Sequence, residues 1–207
     1  MPNEQRMANA PAALNRIAPE SSSLTRRIAA IIVSIWFGGI LVIALGTPSA
    51  FRSVDNVLTS PPESVAKAVK ALGPSLTREI LSYQVSEANR LMFDIWGWAQ
   101  VALAVAIVIL LLFLSNVGRI ALGLSLGMMF MAVLMNFALI PRLSETARLM
   151  RVSTKGPTAE LAEQFRLIHY GFTFFELTVV ALGVMLLVLL LRGRRGMGQH
   201  RRRVEEI

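Results

Sequence analysis

The sequence predicts an all-α membrane protein, a polytopic four-helix bundle with helical extensions of its outer loops. Three observations predict it. The 207-residue chain is 54% hydrophobic and only 16% charged, where soluble domains run near 45–50% and about 25%; its mean hydropathy is +0.57. The apolar residues are gathered into long runs, as a lipid solvent requires. None of these runs alternates with turn residues, which excludes an outer-membrane barrel.

The runs cover residues 28–45, 95–114, 120–140 and 169–191. At about 1.5 Å per residue each reaches across most or all of a ~30 Å hydrocarbon core. Arg26 and Arg27 precede the first run, which is too long for the apolar part of a signal peptide. Thr47-Pro48-Ser49-Ala50 after it is a poor cleavage site, so a retained helix is expected. Basic residues near the span ends set the orientation. With both termini inside, loops 46–94 and 141–168 face out and hold ten basic and eight acidic residues, against eleven and four inside. The expected organisation is a flexible cytoplasmic tail (1–27), a transmembrane domain (28–191) and a basic cytoplasmic tail (192–207). The expected location is the bacterial inner (plasma) membrane.

The net charge of +8 resembles that of a nucleic-acid-binding protein, but its distribution does not. Arg192, Arg194, Arg195, Arg201, Arg202 and Arg203 follow the last span directly. Such a cluster reads as a positive-inside anchor on anionic lipid headgroups, with no nucleic-acid partner. The chain has no cysteine, which excludes disulfides, iron–sulfur clusters and thiolate zinc sites. Of two histidines only His169 lies near a span; His200 is in the tail. A bis-histidine haem is therefore not expected. With no cofactor fingerprint, no cofactor is expected and the chain is not read as an enzyme.

The outer loops carry helix punctuation. Ser60 with Pro61 can open a helix that Gly73-Pro74 stops, and Ser75 then starts one running unbroken into the second span. Leu76, Ile80, Ala88, Leu91 and Ile95 fall near one face of it, expected to pack on neighbouring helices. Pro141 is expected to end the third helix. The stretch 143–150 reads as helical, and Gly156-Pro157 opens a helix leading into the fourth span. Together these predict a small helical cap; the alternative is amphipathic helices lying on the bilayer surface.

Among the few polar residues inside the spans are Gln100, Asn136, His169, Thr173 and Glu176. All of these fall in the outer half, within roughly 10 Å of that interface, and His169, Thr173 and Glu176 share a helix face. An ionisable residue in a membrane points into a bundle or a wet cavity by default. Two readings stay open here: a proton-exchanging or cation-binding site, and an interhelical hydrogen-bond cluster that fixes register. Met128, Met131 and Met135 share a face of the third helix and offer either soft metal ligands or gap-filling side chains. Ala30, Ser34 and Gly38, and Gly123 with Gly127, form small-residue ladders suited to close helix approach. Trp96 and Trp98 read as an outer interfacial belt.

Trp36-Phe37-Gly38-Gly39 leading to Pro48-Ser49-Ala50-Phe51, Asn136 five residues before Pro141, and Phe165 four before His169 resemble the transmembrane protein 205-like family. That family is also called domain of unknown function 4149. The resemblance implies a four-helix membrane protein; a eukaryotic member is linked to cisplatin resistance and export. A more distant similarity to the copper-resistance D family implies copper handling. Trp36, Gly39, Pro48, Asn136, Pro141 and His169 are the matching positions. The chain departs from the pattern in its longer first outer loop and in carrying Glu176 where a neutral residue is expected. The function expected is handling of a small solute, proton or metal ion through an outward-facing polar pocket. The alternative is a structural or assembly protein whose cap binds a partner.

Overall fold

Hydrocarbon offers no hydrogen-bond partners, so each apolar run must close its backbone bonds on itself, and the helix is the local way to do so. The computed structural model describes residues 19–116, 118–152 and 158–192. Its elements are α1 (Pro19–Thr59), α2 (Glu63–Leu72), α3 (Pro74–Phe113), α4 (Arg119–Leu134), α5 (Ile140–Val152) and α6 (Ala159–Arg192), with a π turn at Met135–Leu139 joining α4 to α5. No strand occurs among the described residues. Four rods, formed by α1, α3, α4 continued into α5, and α6, are long and apolar enough to cross a membrane. The chain is an all-α, multi-pass membrane protein.

The rods form a ring: α1 and α4 each pack on both α3 and α6. One apolar cluster, including Ala29, Val33, Leu111, Ala121, Leu186 and Leu190, fills the end that holds the α3–α4 connection. A second, of Met135, Ile140, Leu143 and Phe172 with Phe93 and Phe165 against it, fills the opposite end, nearer α2. Large apolar side chains such as Ile31, Leu41, Phe130 and Leu177 stay exposed on the outside, where lipid is their solvent.

Several boundaries differ from the sequence expectation. Residues 19–27 are not tail but the first turns of α1, with Ser22 and Thr25 buried. Ser22 Oγ accepts a hydrogen bond of 3.1 Å from the Asn116 N–H, fixing this end of α1 to the α3–α4 connection. α1 also continues well past residue 45, through Pro48 to Thr59. The Ser60 N–H bonds the Asn56 carbonyl and so closes α1 rather than opening α2. Pro62, in an extended conformation (ψ 147°), is the residue before α2. Gly73 makes the reversal into α3 with φ 82°, a conformation glycine reaches without strain, and Pro74 takes the first helical position.

Pro141 does not end the third helix. A proline inside an α-helix lacks an N–H and its ring presses on the carbonyl four residues back. The π turn just before it resolves this by inserting one residue: the Ile140 N–H reaches back five positions, to the Met135 carbonyl. α5 then carries the rod onward without a break.

The extension of α3 faces the opposite way from expectation. Leu76, Ile80, Leu91 and Ile95 are exposed, as is Ala88, while Thr77, Ser86 and Asn89 are buried. The inward seam is polar and small; the apolar face looks out. The small-residue ladders also miss the tight contacts, since a Cβ on Gly38 or Gly123 would meet nothing. Close approach occurs at Gly39 under the Trp96 ring, at Gly97 under Asn136, and at Gly183, where a Cβ would lie 2.7 Å from the Phe37 ring. Gly156-Pro157 and the arginines beyond Arg192 lie outside the described residues.

Candidate functional site

The polar residues of the spans divide into a bonded chain and a cavity wall that meet at one carboxyl group. Trp36 of α1 is fully buried and Gln100 of α3 is 1% exposed. The Trp36 indole N–H donates to Gln100 Oε1 at 3.2 Å. Gln100 Nε2 in turn donates to Glu176 Oε1 of α6 at 2.9 Å. An indole can only donate, so it holds the Gln100 carbonyl toward itself and aims the amide N–H at the carboxyl. Three spans are thus joined by two directed bonds, and one Glu176 oxygen is occupied.

The other is not. Glu176 Oε2 is buried and without a hydrogen-bond partner. The Trp96 N–H is also buried and closes no hydrogen bond, though it lies close to the carboxyl. Trp96 therefore does not belong to an interfacial belt: its ring covers Gly39. Trp98 does face outward and meets Phe137 edge to face at 5.5 Å.

Glu176, Thr173 and His169 line a cavity of about 340 Å³ between α1 and α6. Its α1 wall includes Ala44, Thr47 and Pro48. Pro48 has no N–H to return to the Ala44 carbonyl, which loses its usual helical partner there. A second cavity, of about 170 Å³, lies between α1, α3, α5 and α6 and includes Asn89, Arg90 and Ser144. Thr47, Phe93 and His169 line both, so the two are adjacent chambers: a lower one, with Glu176, and an upper one, with Asn89. The Phe165 and His169 rings stack at 6.0 Å, and Phe93 meets Phe172 edge to face at 5.7 Å.

The sequence-expected residues thus separate. His169, Thr173 and Glu176 face the lower chamber together, Gln100 holds Glu176 from behind, and Asn136 packs over Gly97 within the π turn instead. Met128 and Met131 pack in the first apolar cluster and Met135 in the second, so the three methionines are split between the two cores. No group of three or more His, Cys, Asp or Glu stands together among the described residues. Of the resemblance positions, Trp36, Gly39, Pro48, Pro141 and His169 each take a specific part: donor, seat for an indole, cavity wall, π-turn neighbour and cavity wall. Trp36, Asn89 and Thr47 were not singled out by depth in the sequence. A tryptophan in the middle of an apolar span, where its N–H needs a partner, is the signal that points to the first.

No family model, curated protein or solved structure matches the chain.

Proposed function

We propose that this membrane protein takes up a proton or a small cation at an outward-facing pocket whose floor is Glu176. The observation that carries the reading is the divided carboxyl. One oxygen is fixed by Gln100, while the other is buried and unpartnered on a residue that lines the cavity. A free carboxyl oxygen in such a place binds a proton or a positively charged group, since an unmet acceptor out of water is costly. The titratable side chains lining the two chambers are Glu176, His169 and Arg90; α1 and α5 contribute none among the described residues. Outward orientation, with both termini cytoplasmic in a bacterial inner membrane, and kinship with the transmembrane protein 205-like family are parts of the same proposal.

Trp36 and Trp96 beside the carboxyl supply a built-in reporter. Protein in nanodiscs is titrated with acid and, separately, with methylammonium chloride, following tryptophan emission. The expected result is a saturable change that Glu176→Gln abolishes. The same response in both proteins overturns the reading. A second reading, partner binding by the cap, rests on the exposed run Leu72, Leu76, Ile80 and Tyr83 along α2 and α3, since exposed apolar patches mark contact surfaces.

A further inference from the structure

The chambers hold more unmet polar atoms than a proton needs. Besides Glu176 Oε2, Thr47 Oγ1 and Asn89 Nδ2 are buried without partners. Asn89 is 7% exposed and lines the upper chamber, while Thr47 stands where the chambers adjoin. Orphaned polar atoms each cost on the order of 1–3 kcal/mol, so three on residues that line one connected space point to a guest. Their chemistry is ordered: an acceptor in the lower chamber, a hydroxyl between, an amide donor in the upper. We propose that the two chambers form a single site for an amphipathic organic cation. Its ammonium group rests on Glu176 Oε2, and its apolar body lies against Phe93 and Phe172. A hydrogen-bond acceptor at its far end meets Asn89 Nδ2.

Three further features fix the sign and the shape of this ligand. Arg90 at the upper chamber is bonded to Glu87 at 3.0 Å and to Asp94 at 3.3 Å. The two carboxylates pair with the one guanidinium, so Arg90 presents no unmatched positive charge that would attract an anion or repel a cation. In the wall of the lower chamber Pro48 leaves the Ala44 carbonyl without its usual helical donor, an acceptor that a guest N–H could meet. Between the poles the walls are aromatic, which suits both an apolar body and an ammonium passing ring faces. The lower volume alone falls within the range of small-molecule sites, about 300–1,000 Å³.

This inference rests on the reading of Glu176 as a cation site, and the experiment separates the two. Dansylcadaverine carries an amine at one end and sulfonamide oxygens at the other; hexylammonium carries only the amine. Protein in nanodiscs is titrated with dansylcadaverine by fluorescence, with hexylammonium as competitor and the N-acetylated, neutral probe as control. Acetylation and Glu176→Gln are each expected to weaken the probe at least about tenfold. Asn89→Leu is expected to weaken it about fivefold, the scale of one net hydrogen bond, and to leave hexylammonium unchanged. Ala44→Phe fills the lower chamber without removing a polar side chain and is expected to abolish binding. If hexylammonium depends on Glu176 while the probe ignores Asn89→Leu, the two-chamber site falls and the Glu176 reading stands. If the acetylated probe binds as well as the amine, the cation assignment falls. If neither amine senses Glu176→Gln in protein that keeps its melting temperature, both readings fall.

Discussion

Gln100→Leu isolates the energetic role of the bonded chain. Gln100 both accepts from Trp36 and donates to Glu176, so its loss orphans two groups at once: an indole N–H in a fully buried side chain and a carboxyl oxygen. At 1% exposure no water replaces it. Each orphan costs about 1–3 kcal/mol by soluble-protein measures, whereas interhelical bonds in membrane proteins average nearer 0.6 kcal/mol with a maximum near 1.7. The membrane scale is the relevant one, giving a total of about 1–3 kcal/mol. Glu176→Gln keeps a carbonyl oxygen able to accept from Gln100 and is expected to change stability by less than about 1 kcal/mol. The assay is unfolding in mixed micelles under increasing sodium dodecyl sulfate, comparing both variants with the parent. A Gln100→Leu protein as stable as the parent, or no less stable than Glu176→Gln, would refute the bonded chain as a stabilising element.

Other outcomes follow from the packing. Gly39→Ala drives a methyl group into the Trp96 ring and is expected to destabilise by about 1–3 kcal/mol. Gly38→Ala, facing open space, is expected to be neutral or to stabilise by up to about 1 kcal/mol through helix propensity; thermal melts of the pair check the contrast. Pro141→Ala is expected to let the π turn relax into regular helix, raising hydrogen-exchange protection across residues 137–141. Arg78→Ala removes a 2.9 Å ion pair to Asp55 that links the extensions of α1 and α3. Both partners are well exposed, so the loss is expected to be below about 1 kcal/mol and to vanish in high salt.

The four rods were legible because the bilayer dictates both their length and their composition. Pro141 misled because proline is normally a stop signal, and its tolerance here depends on neighbouring helices and on one extra residue at Met135–Leu139. The α3 extension misled for a different reason. Its apolar residues suggested a buried face by soluble-protein logic, yet Ser86, Asn89, Gly97 and Gln100 form the buried seam. Their spacing, three or four residues at each step when Phe93 is included, is itself a helix-packing period, and it runs through Gln100 without interruption. Depth in the membrane found Glu176 and Gln100; it could not find Asn89, which lies in the stretch assigned to an outer loop.

The direction of the chain has a consequence for traffic across the bilayer. A proton wire needs members that can each receive a proton and pass one on. The indole of Trp36 has nothing to accept with, and the amide of Gln100 is held between a donor on one side and a carboxyl on the other. Beyond them lie apolar neighbours such as Val33, Ala104 and Ile107. The pair therefore works as an insulator: if Glu176 takes up a charge as proposed, these two side chains offer it no relay to the far side, and passage requires the helices themselves to rearrange.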